Sequence, residues 1–94
     1  MGLVDNAMKA LADVKNLKRS TPISGWYKGE HGKAYTGLTK ALRGLMKGLK
    51  GSKETQDAEL MKDTEMFLAS HLAKEGGETF FEEAVTAWRA AKGY

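Results

Sequence analysis

The sequence predicts an all-α fold, a small single-domain bundle of three to four helices in which helices two and three form an antiparallel hairpin. Two observations predict it. Apolar residues recur at three- and four-residue intervals in four segments, and glycine or proline stands between those segments. The length of the chain is consistent with this fold, because 94 residues suffice for one modest core. Residues 1–94 are therefore expected to form one helical domain.

The first helix is predicted over about residues 3–18. Its last turn carries Lys15 and Lys18, and Arg19 follows, where the negative end of the helix dipole favours cations. Pro22 then ends the helix, because the residue before a proline avoids the helical conformation. The sequence leaves open whether this helix completes the core or projects from it. Its apolar positions are Leu3, Ala7, Ala10, Leu11, Val14 and Leu17.

An irregular aromatic loop is predicted over residues 20–32, which contain the only proline, three glycines, Trp26 and Tyr27. A small hairpin turning at residues 29–32 is the alternative. The loop is favoured because Tyr35 continues the leucine-bearing face of the next helix without a break in phase. Loops of this length in a compact domain are often functional.

The second and third helices are predicted over about residues 33–50 and 53–74. Only Gly51 and Ser52 separate them, and so short a connection makes neighbouring helices antiparallel. Ser52 is the predicted N-cap of the third helix, whose first turns are acidic as the helix dipole favours.

The fourth helix is predicted over about residues 79–92, after the break at Gly76 and Gly77. Thr79 and Glu82 stand at the spacing of a capping box, in which each side chain bonds the other residue's backbone N–H. We expect this helix to pack across the hairpin. Its apolar positions are Phe80, Phe81, Ala84, Val85, Trp88 and Ala91.

The second helix is amphipathic and cationic. Residues 33–53 hold six basic residues and no acidic one, and at ~100° per residue the leucines fall opposite the cations. The dipole accounts for Lys47 and Lys50 near the helix end, but not for Lys40 and Arg43 in its middle. The mid-helix pair therefore suggests an anionic partner.

Small residues follow one flank of the same helix, at Gly37, Ala41, Gly44 and Gly48. Each glycine costs up to ~1 kcal/mol of helix stability relative to alanine, so some contact should offset the three. Close approach of another helix is the simplest such contact. That helix belongs either to the same chain or to a second copy.

Charge is divided unevenly along the chain. Residues 1–53 carry eleven Lys/Arg and three Asp/Glu, whereas residues 54–94 carry four and nine. A charge distribution of this kind either attracts an anionic partner to the first half, or it lets the basic and acidic halves neutralise each other. That neutralisation occurs within one chain or between two copies.

Several function classes find no support in the residues. Without cysteine there is neither a disulfide nor a thiolate metal site, and nothing requires an oxidising compartment. His31 and His71, the only histidines, match neither zinc spacing nor a Glu-x-x-His pair, and no phosphate-binding glycine motif occurs. No apolar run approaches the ~20 residues of a membrane span. We therefore predict a cytoplasmic protein that is not an enzyme, with no catalytic residue, metal or cofactor.

The leading functional hypothesis is a non-enzymatic binding or inhibitory accessory protein that docks on a partner protein with an acidic surface. A nucleic-acid-binding protein using the same basic helix is the alternative, and a self-assembling homo-oligomer is the third. A membrane surface is disfavoured, because the apolar face of this helix is needed for the core. The aromatic residues Trp26, Tyr27 and Tyr35 are expected to serve as interface anchors or core residues, and stacking platforms for unpaired bases are the alternative. The predicted partner-binding residues are Trp26, Tyr27, Lys28, Lys33, Tyr35, Lys40, Arg43, Lys47 and Lys50.

Overall fold

The structure, a computed structural model, describes residues 2–20, 29–72 and 74–93, with the side chains of residues 29–31 left out of the description. Four α-helices account for most of these ranges, and no strand occurs within them. The predicted all-α class is confirmed. The helices are α1 (Gly2–Ser20), α2 (Gly29–Leu49), α3 (Thr55–Met66) and α4 (Glu78–Lys92), and α3 continues into a π-helical turn at Phe67–His71.

The four helices form an up-and-down bundle in which each helix runs antiparallel to the next. Leu3 at the start of α1 lies against Gly48 near the end of α2, and Lys18 near the end of α1 lies over the ring of Tyr35. The pairs α3–α4 and α1–α4 also run antiparallel. Helix α1 thus completes the core, and α4 lies alongside α3 and α1 rather than across the hairpin.

The core consists of the apolar stripes that the three- and four-residue spacing predicts. The differences from the predicted stripes include Val4, which is buried in place of the 41% exposed Leu3, the half-buried Leu17 and the exposed Ala91. Leu3 lies at the edge of the bundle, where its side chain lies against Gly48 of α2. The buried apolar residues are Val4, Ala7, Leu11, Val14, Tyr35, Leu38, Leu42, Leu45, Leu49, Leu60, Phe67, Phe81, Val85 and Trp88.

The predicted loop at residues 20–32 is wrong at both ends. Ser20 belongs to α1, and residues 29–32 form the first turn of α2, which also rules out the hairpin at those residues. The remainder of the loop, residues 21–28, lies outside the described ranges. An acidic residue at position 30 suits a first helical turn, and Thr36 Oγ1 donates to the carbonyl oxygen of Gly32 at 2.9 Å. The acidic residue favours a helical start here, and the Thr36 bond to the residue four earlier is the one that helical geometry allows.

Helix α3 begins later than predicted, at Thr55, and Glu54 rather than Ser52 occupies its N-cap position. Ser52 acts from two residues earlier: its Oγ accepts from the backbone N–H of Glu54 at 3.3 Å and donates to Asp57 Oδ2 at 2.7 Å. Gly51 allows the tight turn before it, with φ of +86°. The third helix changes to π-helical geometry at Phe67 and ends at His71, before the predicted residue 74.

The predicted capping box at Thr79 and Glu82 does not form. Helix α4 begins at Glu78, Gly77 occupies the N-cap position, and Thr79 is exposed inside the first turn. The chain turns tightly here, since a Cβ atom at Gly77 would overlap the carbonyl oxygen of His71. Only glycine fits this position, and the turn fixes the helix start two residues earlier than the box requires.

Leu3 of α1 contacts the small-residue flank of α2 near the end of that helix. Its side chain lies against Gly48 and reaches the position of a Gly44 Cβ at 4.0 Å, and Ala41 is half-buried against the core, whereas no described residue lies within 4 Å of a Cβ at Gly37. Among the described residues, these contacts come from the same chain and do not reach the Gly37 end of the flank.

Candidate functional site

The outward side of α2 carries a row of exposed cations, which we call the basic face: Lys33, Lys40, Arg43, Lys47 and Lys50. The leucines of the same helix point into the core, so burying them fixes the cations outward. Within the described ranges, no ion pair joins any of the five to a carboxylate. The basic face is therefore not neutralised by the described part of the chain.

The ion pairs that do form lie elsewhere in the bundle. Lys15 contacts Glu82 at 3.2 Å, and Arg89 contacts Asp5 at 3.3 Å, both between α1 and α4. A third pair, Lys18 with Glu78, joins the same two helices. Glu82 and Glu78 of α4 thus pair with lysines of α1, whereas the described carboxylates form no ion pair with the cations of the basic face.

A groove of about 470 Å³ lies beside the basic face, between α2 and the end of the π-helical turn. We call it the α2 groove. Its lining combines cationic, hydroxyl and apolar groups, and includes no acidic residue among those described. The lining residues are Gly32, Tyr35, Thr36, Thr39, Lys40, Arg43 and Leu72.

Of the aromatic anchors predicted from the sequence, Tyr35 is the one that lies among the described residues. Tyr35 is 6% exposed and belongs to the core, because it continues the leucine stripe of α2. It therefore takes the second of the two roles open to it, and contributes to the groove as part of its floor. Trp26, Tyr27 and Lys28 lie outside the described residues.

The floor of the groove is held from behind by Lys18, a residue that sequence reasoning assigned only to the dipole of α1. Its ammonium donates to the carbonyl oxygen of Leu72 at 3.1 Å and lies 5.7 Å from the centre of the Tyr35 ring. The carboxylate of Glu78 neutralises it. One signal pointed to this role: Lys18 follows Leu11 and Val14 at helical spacing, on the buried side of α1.

A second buried polar cluster joins the start of α3 to the end of α4. The indole N–H of Trp88 donates to Asp57 Oδ1 at 2.7 Å, and Lys92 lies 3.1 Å from the same oxygen. The pKa of Asp57 is lowered to about 2, and the hydrogen bond from Trp88 is the largest cause. Burial acts in the opposite direction and raises the pKa, whereas the hydrogen bonds from Ser52 and Lys92 lower it further. Lys92 has a raised pKa, chiefly because it donates to Glu54 and Asp57.

This cluster is structural rather than a ligand site, because its groups satisfy one another. Sequence reasoning placed Trp88 in the core and Asp57 in a first turn, but it did not connect them, since 31 residues separate the two. Contacts over such a distance have no local signal in the sequence.

The rest of the described molecule offers few other chemical groupings. His71 stacks on Phe80 with ring centroids 4.2 Å apart, and the described residues contain no group of three or more His, Asp or Glu that could hold a metal ion. Within the same residues, no helix combines the length and the apolar character needed to cross a membrane. No protein-family model matches the sequence, and no curated protein or solved structure shows detectable similarity to it.

Proposed function

We propose that this protein is a non-enzymatic binding or inhibitory accessory protein that docks on an acidic partner protein through the basic face of α2. One observation carries the proposal: Lys40 and Arg43, in the middle of α2, stand exposed beside a groove that has an apolar floor and no described carboxylate. We place the interaction in the cytoplasm, because a chain without cysteine needs no oxidising compartment.

The basic face is costly to the isolated protein, which supports a partner. Like charges three or four residues apart on a helix destabilise it by a few tenths of a kcal/mol per pair, and Lys40, Arg43 and Lys47 have this spacing. The described carboxylates that form ion pairs do so with cations outside the basic face. An anionic surface from outside the chain would offset this repulsion.

The apolar floor of the groove favours a protein partner over a nucleic acid. Contacts to a phosphate backbone require cations, whereas protein interfaces combine a buried apolar centre with a polar rim. The α2 groove has this second composition, with Tyr35 and Leu72 in its floor and Lys40 and Arg43 beside them.

The test is affinity capture from the native cell with the wild type and a Lys40→Glu, Arg43→Glu, Lys47→Glu variant. We expect the wild type to capture an acidic protein that resists nuclease treatment, and the variant to lose it. A matched control carries Lys9→Glu, Lys62→Glu and Lys74→Glu, which change the net charge equally at exposed positions outside α2. The control should retain the partner. Equal capture by all three proteins would contradict the proposal.

Binding of nucleic acid is the second candidate, and the uninterrupted row of exposed cations on α2 favours it. It predicts that nuclease abolishes capture and that affinity for DNA or RNA falls steeply with salt. The slope of log K against log salt should decrease in magnitude by about one for each phosphate-contacting lysine that is removed. Binding that is absent or independent of salt would eliminate this candidate.

A further inference from the structure

We infer that the α2 groove is the recognition pocket of the docking surface, and that it accepts one large apolar side chain flanked by carboxylates on an acidic peptide segment of the partner. This inference rests on the proposed function and goes further, because it names the chemistry that the partner presents.

The groove is suited to an occupant with both apolar and anionic groups. Its volume of about 470 Å³ is ample for a side chain and the backbone beside it. Tyr35 and Leu72 provide apolar surface in the floor, and the hydroxyls of Thr36 and Thr39 provide hydrogen-bonding groups. A ligand that is only apolar or only charged would leave part of this lining unused.

The charges beside the groove select against a cationic occupant. Lys40 and Arg43 both line it, and no acidic residue does so among those described. The planar guanidinium of Arg43 can bind a carboxylate with two parallel hydrogen bonds, and the ammonium of Lys40 supplies a second positive charge. Carboxylates on either side of the inserted side chain match this arrangement.

The pocket is formed before any partner binds. Lys18 donates to the backbone carbonyl oxygen of Leu72 at 3.1 Å and lies over the Tyr35 ring, so one buried side chain contacts both residues of the floor. Glu78 balances its charge. A preformed floor lowers the cost of ordering on binding, which favours a specific pocket over a surface that rearranges.

The experiment compares two fluorescein-labelled nonapeptides of glutamate, one with leucine at the centre and one with alanine, by fluorescence anisotropy with the full chain. We expect the wild type to bind the leucine peptide about tenfold more tightly, since only leucine reaches the apolar floor. Thr36→Trp fills the groove without changing its charge, and Thr36 is exposed. This variant should bind both peptides equally, with the affinity that the wild type has for the alanine peptide.

A second variant tests the inference independently in case Thr36→Trp does not fold. Leu72→Ala removes apolar floor without adding bulk, and it should also reduce the preference for leucine, with far-ultraviolet circular dichroism confirming that both variants are folded. Equal binding of the two peptides by the wild type, or an unchanged preference in both variants, would overturn the inference, as would no binding of either peptide. The proposed function would survive each of these results if the triple glutamate variant still lost its partner.

Discussion

The ammonium of Lys18 and the carboxylate of Glu78 form an ion pair inside the bundle, where only 6% and 4% of their side chains are exposed. The pair joins the last turn of α1 to the first turn of α4. Lys18 also donates to the carbonyl oxygens of Leu72 and Lys74, at 3.1 and 2.8 Å, in the connection between the π-helical turn and α4. One side chain thus connects three segments of the chain.

Replacing Lys18 with methionine should lower the free energy of unfolding by about 3–5 kcal/mol, because Glu78 would stay buried without its partner. Urea denaturation at neutral pH measures the loss. Lys15→Met is the matched control, because the Lys15–Glu82 pair is about one-third exposed and should contribute only about 0–1 kcal/mol. Adding Glu78→Gln to Lys18→Met should recover part of the stability. Similar losses in the two single variants would contradict this account of the buried pair.

The stability of the bundle should fall in acid through Asp57. Its pKa lies at about 2 in the folded protein against an ordinary value of 3.8, so the charged form is favoured by folding. The ionised Asp57 contributes its full stabilisation, about 1–2 kcal/mol, at pH values above its ordinary pKa. This contribution is lost as the pH falls from about 4 toward 2. Urea denaturation of the wild type and of Asp57→Asn across this range measures it. The difference in free energy of unfolding between the wild type and Asp57→Asn should shrink as the pH falls. A difference that stays constant would show that Asp57 does not cause the loss of stability in acid.

Two glycines of α2 should respond differently to alanine. Gly37→Ala should raise the free energy of unfolding by about 0.5–1 kcal/mol, because no described residue lies near the new methyl group and alanine favours helix. Gly48→Ala should raise the free energy of unfolding little or not at all, since the new Cβ would overlap Cδ1 of Leu3 and displace that side chain. Thermal unfolding of the two variants compares them directly. A larger gain at Gly48 would mean that Leu3 does not hold the position described.

Features that depend on neighbouring residues were predictable from the sequence, whereas features that depend on distant partners were not. The helical class, the leucine stripe of α2 and its outward cations follow from spacing within one segment. The roles of Lys18 and Asp57 depend on Glu78 and Trp88, which lie 60 and 31 residues further along the chain. Helix starts also differed, because tight turns at Gly51 and Gly77 decide them rather than the nearest Ser or Thr.

In the candidate site, too, some features were predictable from the sequence and others were not. The cations of α2 could be assigned to one exposed face from the sequence, since a helical period and six basic residues suffice. The groove could not, because Leu72 comes from the end of the third helix and Lys18 from the first. Tyr35 satisfied both the pattern of a core residue and that of an anchor, and only its burial separates the two.

The separation of the ion pairs from the basic face has a consequence for how this protein can evolve. Cations that hold the bundle together lie on α1 and α4, and those of α2 take part in none of the described pairs. Exposed positions of this kind usually change stability by less than about 0.5 kcal/mol when substituted. Selection on the outward positions of α2 can therefore alter which surface the protein recognises, one residue at a time, while the fold persists.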